Sequence, residues 1–419
     1  MRLVRAWPRP EIPVLSDDDG VVHILDSRSG MRHPVAAGQR LARVYACGIT
    51  PYDATHLGHA FTYLGVDLLN RALLDAGHEL QYVQNVTDVD DPLLERAEAT
   101  GTDWQELAQQ QTDLFRADMT ALRVIPPDPY LGVVESLGVI GDYLRQLHAT
   151  GRLYQVGDPE HPDWYCDMTG IDLAGLSPAE ALAIFAERGG DPDRPGKRNP
   201  LDCLVWRMAR PGEPAWKSPL GEGRPGWHIE CTAIAVSTLG AAFDVQAGGS
   251  DLAFPHHPMC AAEATALTGQ PFAQSYLHAG MVGYDGEKMS KSRGNLVFVS
   301  TLLAEGFDPM AIRLALLAHH YRDDWEFGYP ELDAAQRRLD TWRVALAAPA
   351  GPDAELFRTR VRKALRDDLD APRALVLMDE WAGDAGTGDP QAPAQIAATL
   401  DALLGLRLAG DAGQPGEPG

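Results

Sequence analysis

Two short segments of the sequence carry residue types suited to phosphate chemistry. The first is HLGH at residues 56–59, and the second is KMSKS at residues 288–292. Two of the five lysines of the chain lie in the second segment, whereas arginine carries most of the positive charge elsewhere. Lysine places a compact charge on a flexible stem, which can follow a phosphate as it moves. Together the two segments predict a split site for the triphosphate of ATP.

Such a site would serve the attack of a carboxylate on the α-phosphate of ATP, with pyrophosphate as the leaving group. Negative charge then develops on phosphate oxygens, where positioned cations and N–H donors stabilise it. Gly58 has no Cβ, so the backbone beside it can approach the nucleotide closely. Helix capping or core packing is the alternative role for the two histidines. The residues expected to act in catalysis are His56, His59, Lys288 and Lys291.

A second group of candidate residues consists of cysteines and histidines that are far apart in the sequence. The chain has five cysteines, an odd number without a CxxC pair, so no disulfide framework is expected. Scattered cysteines are commonly small buried hydrophobic residues. Three of them, however, follow apolar or glycine-rich segments that would place their side chains at strand ends. Cys47, Cys231 and Cys260, with His256 and His257, therefore predict a zinc site.

Strand and helix patterns alternate around these residues. Residues 44–47 are typical of a parallel strand, and residues 80–86 are predicted to be the next strand. Residues 59–76 between them carry leucines at helical spacing. This order, with the histidine segment in the first loop, predicts a doubly wound sheet that binds ligands beyond the carboxyl ends of its strands. Proline- and glycine-rich punctuation over residues 122–225 predicts an insertion between the halves of the sheet.

The chain resembles the catalytic core of the class I aminoacyl-tRNA synthetases of the cysteine type, from about residue 40 to residue 327. More closely, it is similar to the family of cysteine ligases of mycothiol biosynthesis. Three segments carry that closer match: CGITPYDAT at 47–55, QNVTDVDDP at 84–92 and ERGGDP at 187–192. A cysteinyl-tRNA synthetase usually ends its first motif in asparagine and has proline where Ile49 stands here. These details favour the ligase family.

The resemblance implies an activity. Members of the ligase family use ATP to join L-cysteine to the amine of glucosaminyl-inositol through a cysteinyl adenylate, releasing AMP and pyrophosphate. A cysteinyl-tRNA synthetase with a reduced C-terminal domain is the nearest alternative, because it would share the adenylation step. A non-catalytic relative that binds cysteine or tRNA is a further alternative, although the intact histidine and lysine segments weigh against it.

The resemblance also implies a metal centre, with one Zn²⁺ per chain in addition to Mg²⁺ with ATP. In the cysteine-type members, zinc is held by residues that match Cys47, Cys231 and His256. Three protein ligands leave one tetrahedral position for the thiolate of the substrate. His257 is the adjacent alternative ligand. Cysteinyl-tRNA synthetases have a glutamate four residues after His256, where this chain has Cys260, either as a fourth protein ligand or as a buried bystander.

The residues that contact the cysteinyl adenylate are implied in the same way. Trp227 offers a flat apolar wall, and Asp251 offers a carboxylate for the amino-sugar or for a proton, with a turn or helix cap as its alternative role. The acidic residues near Pro92 are more simply a helix N-terminus than a metal site. The positions that match the adenylate contacts are Cys47, Gly48, Ile49, Thr50, Thr62, Asn85, Val86, Thr87, Trp227, Gly249, Ser250, Asp251 and Val282.

The charge of the chain bears on its partners. The formal net charge is −23 and the pI is about 4.9, whereas proteins that hold long polyanions usually carry basic patches. Over residues 330–419, where a tRNA synthetase would keep its anticodon-reading domain, ten Lys/Arg and fifteen Asp/Glu give −5. A local basic stripe stays compatible with these totals. The expected partners are therefore ATP, L-cysteine and glucosaminyl-inositol, without tRNA.

The sequence also bears on cellular location and oligomeric state. The most apolar stretch, residues 231–243, is too short to span a bilayer. The N-terminus runs at once into WPRP at residues 7–10, without the apolar region of a secretory signal. A cytoplasmic monomer without a membrane partner is expected.

The predicted fold is α/β, with a class I synthetase-like doubly wound parallel sheet, an insertion and a C-terminal helical domain. Residues 1–40 would form an irregular leader with a strand-like stretch at 21–25. The expected units are 1–40 (leader), 41–121 (first half of the nucleotide-binding domain), 122–225 (insertion), 226–300 (second half, with the KMSKS loop), 301–410 (helical domain) and 411–419 (disordered tail).

Overall fold

A computed structural model describes residues 4–16, 19–52, 55–289 and 295–408 of the chain. The described residues of the first half contain eight strands and five helices. In chain order these are β1 (His23–Asp26), β2 (Met31–Pro34), β3 (Leu41–Ala46), α1 (Leu57–Asp75), β4 (Glu79–Val86), α2 (Asp91–Thr100), α3 (Trp104–Ala121), β5 (Tyr130–Gly132), α4 (Leu137–Ala149), β6 (Leu153–Gln155), β7 (Trp164–Cys166), α5 (Pro178–Glu187) and β8 (Cys203–Met208).

The second half of the described chain is richer in helices. It continues with β9 (Trp216–Ser218), β10 (Gly221–Pro225), α6 (Trp227–Leu239), β11 (Phe243–Gly249), a 3₁₀ turn (Ser250–Ala253), α7 (His256–Thr268), β12 (Ala273–Ala279), β13 (Val282–Tyr284), β14 (Glu287–Lys288), α8 (Val299–Ala304), α9 (Pro309–Leu317), β15 (Trp325–Phe327), α10 (Tyr329–Leu346), α11 (Ala354–Arg366), α12 (Ala371–Gly383) and α13 (Ala392–Leu404).

The central sheet has five parallel strands in the order β12–β11–β3–β4–β5. Alternate side chains of β3 enter different cores, because successive residues of a strand point to opposite faces. Val44 and Ala46 pack into the core that contains α1 and the C-terminal helices. Tyr45 and the next residue, Cys47, pack into the core that contains α6, α7 and the inserted sheet. The sheet is thus covered on both faces, as in a doubly wound fold.

The inserted region forms its own five-stranded antiparallel sheet in the order β6–β7–β8–β10–β9. The start of this region differs from the expectation. Residues 130–132, which the sequence assigns to the insertion beginning at residue 122, form β5 and extend the central sheet beside β4. Three residues are too few to show a strand period, so only their pairing with β4 makes them a strand.

The N-terminal segment is more ordered than an irregular leader. β1 and β2 form an antiparallel hairpin, which lies against β12 through the Ser27 amide donating to the Tyr276 carbonyl (3.0 Å). Trp7 is buried, and its indole donates to the Val124 carbonyl at 2.7 Å. The strand therefore occupies residues 23–26 rather than 21–25. This hairpin brings polar side chains of the N-terminal segment towards the central sheet.

The C-terminal helices pack on α1. Between α9 and α10 lies the short strand β15, which pairs with β13 in a three-stranded sheet with β14. The expected tail, residues 411–419, lies outside the described residues. Among the residues described, no helix combines the length and the apolar character that crossing a bilayer requires.

Candidate functional site

The candidate site lies where the central strands end. Cys47 follows β3 directly, Asn85 and Val86 end β4, and Gly249 ends β11. Because parallel strands deliver their carboxyl ends to one edge of a sheet, these residues meet.

Asn85 organises the first loop of this edge. Its side-chain oxygen accepts hydrogen bonds from the Gly48 amide (2.8 Å) and the Tyr45 hydroxyl (2.9 Å). A Cβ on Gly48 would lie 1.6 Å from the Asn85 carbonyl oxygen, so a larger residue cannot occupy this position without a backbone shift. The Thr87 amide donates to the Ile49 carbonyl at 2.9 Å. These contacts fix the loop that carries Cys47 and the residues after it.

The histidine segment opens α1. His56 is the N-cap residue, and its Nδ1 accepts from the Gly58 amide at 3.1 Å, so it does cap the helix. The rings of His56 and His59 stack with 3.8 Å between their centroids. Both side chains are half-buried. Two imidazoles at the positive end of a nineteen-residue helix suit a phosphate group.

Backbone that follows the lysine segment, at residues 297 and 299, contacts the start of the histidine segment. The Leu57 amide donates to the Val297 carbonyl (2.9 Å), and the Val299 amide donates to the Thr55 carbonyl (3.1 Å). Lys288 ends β14, which pairs with β13. Lys291 lies outside the described residues. The described backbone therefore joins the regions of the two segments that are far apart in the sequence.

Three buried side chains that could bind a metal lie close together. One ligand atom each of Cys47, Cys231 and His256 lies within 4.8 Å of the others. Cys47 comes from the end of β3, Cys231 from the first turns of α6, and His256 from the start of α7. A hydrogen bond with Cys47 lowers the pKa of Cys231 well below its usual range against the effect of burial, and His256 adds to this. Burial raises the pKa of Cys47.

A second group shares His256 and includes His228, a residue that the sequence motifs did not indicate. Atoms of His228, His256 and Cys260 also lie within 4.8 Å of one another. The Nδ1 atoms of His228 and His256 are 2.8 Å apart. The Cys260 thiol donates to the His228 carbonyl at 3.4 Å, and burial raises its pKa. The position of His228, three residues before Cys231 on α6, was the signal that could have identified it.

His257 occupies a different place from His256. Its Nε2 lies 3.4 Å from the Cys47 sulfur and 3.0 Å from the Gln246 side-chain nitrogen. Its Nδ1 lies 2.7 Å from Nε2 of His278. Burial lowers the pKa of His257. His257 thus contacts Cys47, and its other contacts are with Gln246 and His278.

The other residues expected to contact an adenylate surround this edge of the sheet. The Trp227 ring stacks on His256 with 4.3 Å between centroids. A Cβ on Gly249 would lie 2.6 Å from a carboxylate oxygen of Asp251 and 3.8 Å from the Thr62 hydroxyl. Ser250 and Asp251 form the 3₁₀ turn, Thr50 follows Ile49, Thr87 follows β4, and Val282 is buried at the start of β13.

The acidic residues before Pro92 form a helix N-terminus, as the sequence predicts. Asp90 is the N-cap of α2 and accepts from the Asp91 amide at 2.8 Å. Burial raises the pKa of Asp88 and of Asp90 to about 6. Glu230 on α6 is also buried, and burial raises its pKa well above the usual range.

A family model and curated relatives match this chain. The family model for the tRNA synthetases class I (C) catalytic domain covers residues 34–337. The L-cysteine:1D-myo-inositol 2-amino-2-deoxy-alpha-D-glucopyranoside ligase of Thermomonospora curvata is 55% identical over 97% of this chain and 100% of its own length. The ligase of the same name from Thermobifida fusca is 56% identical over 97% of this chain and 99% of its own. The chain belongs to this ligase family of the class I (C) synthetases.

Solved structures of class I synthetases share the fold of this ligase family member. Mycobacterium tuberculosis methionyl-tRNA synthetase in complex with methionyl-adenylate aligns with a TM-score of 0.61, at 16% identity, over 87% of this chain and 90% of its own. The leucyl enzyme agnB2 LeuRS of Agrobacterium radiobacter aligns with a TM-score of 0.60, at 13% identity, over 88% and 83%. The predicted fold class is confirmed.

The ERGGDP segment at residues 187–192 contributes a residue whose role the sequence did not indicate. One terminal nitrogen of the Arg188 guanidinium donates to the carbonyl oxygens of Asp251 and Phe254. Lys197 organises the same loop by donating to the Asp191 carboxylate (3.0 Å) and to the Pro200 carbonyl (2.8 Å). The inserted region therefore holds the turn that carries Asp251 and leads into α7.

Proposed function

We propose that this member of the ligase family uses ATP to join L-cysteine to the amine of glucosaminyl-inositol, with AMP and pyrophosphate as the other products. The observation that carries the proposal is the buried group of Cys47, Cys231 and His256, with Cys47 directly after β3. Identity of 55% to 56% over nearly the whole length of ligases with that name supports the choice of substrates.

The donor set of this group fits Zn²⁺. Two cysteine sulfurs and one imidazole are ligands that zinc prefers, and three protein ligands are typical of sites that keep a position open. Zinc held by Cys47, Cys231 and His256 would bind the substrate thiolate and so favour cysteine over serine. Cys260 has a hydrogen-bond acceptor of its own at the His228 carbonyl, which supports its role as a bystander.

The adenylation step uses the residues at the opening of α1 and in the lysine segment. His56 and His59 lie at the helix N-terminus, where they would meet phosphate oxygens of MgATP. Lys288 and Lys291 would approach the same oxygens from the opposite segment. All four would stabilise charge that develops as pyrophosphate leaves the α-phosphate, while the carboxylate of cysteine forms the mixed anhydride.

The bound adenylate would lie along the ends of the central strands. Trp227 would form one wall, since its ring already covers His256. The turn at Gly249 permits close approach of the nucleotide, because a side chain there would meet Asp251. The proposed contacts are Cys47, Gly48, Ile49, Thr50, Thr62, Asn85, Val86, Thr87, Trp227, Gly249, Ser250, Asp251 and Val282.

The second step forms the amide. The neutral amine of the amino-sugar attacks the activated carbonyl, the bond to the phosphate oxygen breaks, and AMP leaves. The amine loses one proton in this step. Asp251 is our candidate acceptor for that proton or for hydroxyl groups of the sugar, and solvent and the released phosphate are the alternatives.

The proposal extends to partners and location. A chain with a net charge of −23 is poorly suited to hold a long polyanion, so we propose a small acceptor and no tRNA. All five cysteines are buried and free, which suits a reducing compartment. We therefore propose a cytoplasmic location, and we propose that the protein is a monomer.

The test is AMP release by the purified protein from ATP and cysteine, with either glucosaminyl-inositol or tRNA added. We expect stimulation by the amino-sugar alone and an amide product of the corresponding mass. Stimulation by tRNA with a labile ester product would instead establish a cysteinyl-tRNA synthetase. Silence with both acceptors would refute the ligase assignment and favour a binding role.

A further inference from the structure

Five polar side chains form a continuous line from the N-terminal hairpin to the candidate metal group. The Ser27 hydroxyl lies 2.5 Å from Nδ1 of His278, whose Nε2 lies 2.7 Å from Nδ1 of His257. Nε2 of His257 lies 3.0 Å from the side-chain nitrogen of Gln246, and that nitrogen lies 3.1 Å from the sulfur of Cys47. We call these residues the Ser27–Cys47 line.

The hydrogen bonds of the Ser27–Cys47 line have one consistent direction. A backbone carbonyl can only accept, and the Ser27 hydroxyl donates to the Tyr276 carbonyl at 3.0 Å. The Ser27 oxygen then accepts from Nδ1–H of His278. Nε2 of His278 consequently accepts from Nδ1–H of His257, and Nε2 of His257 accepts from the Gln246 amide.

Each imidazole in this line needs only one N–H. Burial lowers the pKa of His278 to about 4, so its ring is neutral at neutral pH and offers one donor and one acceptor. His257 likewise has one donor contact, at Nδ1, and one acceptor contact, at Nε2. The two rings therefore transmit the hydrogen-bond direction set at Ser27.

The orientation of the Gln246 amide follows from this direction. A primary amide has two N–H donors, and here one faces His257 and the other faces the Cys47 sulfur. The opposite orientation would point the amide oxygen at the cysteine sulfur and at the lone pair of the imidazole. The amide oxygen would repel both a thiolate and that lone pair. No described residue donates to that oxygen, so the orientation is selected entirely at the nitrogen end.

We propose that Gln246 is a positioning residue that donates a hydrogen bond to the thiolate of Cys47, and that the N-terminal hairpin, through Ser27, holds its amide in that orientation. The inference rests on the proposed metal site. A donor at the sulfur stabilises the thiolate charge and orients its lone pairs towards the metal. The hairpin that the sequence suggests is a leader thus becomes part of the site's support.

The experiment is a Co²⁺ titration of the full-length protein after removal of its metal, followed by the sulfur-to-cobalt charge-transfer band. Gln246→Met removes the donor but keeps a buried side chain of similar length. Because the thiolate electrons then rise in energy, we expect the band to move to longer wavelength and Co²⁺ binding to weaken about tenfold. Ser27 is exposed, so Ser27→Ala keeps the fold, and we expect a smaller change in the same direction.

The matched control is Gln84→Met. Gln84 is equally buried on β4 of the same sheet, two strands from β11, and its side-chain oxygen accepts from the Tyr82 hydroxyl at 2.7 Å. We expect its band to equal that of the wild type. A band for Gln246→Met at the wild-type wavelength with wild-type affinity would overturn the role of Gln246 while leaving the metal site intact. Absence of the band in the wild type would overturn the metal site itself, and this inference with it.

Discussion

At the residue scale, the candidate site depends on two buried cysteines whose pKa values are shifted in opposite directions. Burial raises the pKa of Cys47, whereas the hydrogen bond from Cys47 lowers that of Cys231. Two thiolates so close together in a buried place repel each other unless a cation lies between them. The arrangement is therefore suited to a divalent metal, which displaces the protons of thiols and binds them as thiolates.

The first prediction concerns Cys231. A hydroxyl is a poor zinc ligand compared with a thiolate, so Cys231→Ser is expected to lose bound zinc and to lower cysteine-dependent ATP–pyrophosphate exchange about 100-fold or more. Metal analysis and the exchange rate measure both effects. Cys166→Ser is the control, because Cys166 is also buried but lies in β7 of the inserted sheet. Full zinc content in Cys231→Ser would contradict the assignment of this ligand.

The second prediction concerns Arg188. Its guanidinium donates to the carbonyls of Asp251 and Phe254, and hydrogen bonds to charged groups contribute about 1.5–3 kcal/mol each. Arg188→Ala is expected to lower kcat/KM for amide formation about tenfold or more, measured at full metal content. Arg188→Lys should retain part of the activity. Arg145→Ala, at an exposed position on α4, is the control, and equal rates for Arg188→Ala and this control would refute the role.

At the scale of the elements, α6 and α7 are joined by a buried carboxyl group. Burial raises the pKa of Glu263 on α7 to about 8. The Thr232 hydroxyl lies 2.8 Å from both the His228 carbonyl and the Glu263 carboxyl group. It can donate its single proton only once, so a protonated Glu263 that donates to Thr232 satisfies both contacts.

A pH dependence follows from Glu263. A carboxyl group whose folded-state pKa exceeds the unfolded value of 4.5 stabilises the fold fully below that value, and the stabilisation is lost as the pH rises towards 8. Glu263→Gln keeps a neutral group at every pH. The free energy of unfolding of Glu263→Gln minus that of the wild type, measured by thermal unfolding, is expected to rise by about 2–4 kcal/mol from pH 5 to pH 8. Glu187→Gln, at an exposed position, should show no such trend; a flat difference for Glu263→Gln would contradict the argument.

Some helices could be predicted from the local sequence pattern, whereas several short strands could not. The leucine spacing of α1 and the acidic start of α2 could be recognised because one amphipathic face and one cap identify a helix. β5 and the short strand β15 could not, since three residues acquire strand form only from a partner distant in sequence. The same limit applies to the pairing of β1 with β2, because half-buried and buried residues alternate over only four positions of β1 and do not alternate in β2.

At the scale of the whole molecule, a buried ion network joins the nucleotide-binding core to the C-terminal helices. Arg71 donates to Asp67 at 2.8 Å, and Arg313 on α9 donates to the same carboxylate. Arg313 also donates to the Leu404 carbonyl at the end of α13 (2.6 Å). Although burial opposes it, the two guanidinium groups hold the pKa of Asp67 below its usual range.

The fourth prediction tests this network. Arg313→Leu leaves Asp67 with one guanidinium partner, Arg71, and removes the Arg313 donor from the Leu404 carbonyl. Breaking a buried ion pair from one side costs about 3–5 kcal/mol, so the free energy of unfolding is expected to fall by that amount. Denaturant titration measures it. Arg337→Leu, at an exposed position on α10, should change the free energy by less than about 0.5 kcal/mol, and equal values for the two variants would show that the network is not stabilising.

The sequence by itself determined the residue types, the order of the elements and the family resemblance. The chemistry of Cys47, Cys231 and His256 and the helix that follows the histidine segment are local properties, legible from neighbours in the chain. Only the tertiary structure decided that these three residues meet, that His228 and Gln246 stand beside them, and that Arg188 and Ser27 reach the same region. The reason is physical: distances between residues hundreds of positions apart are set by strand order and helix packing, and no local pattern encodes them.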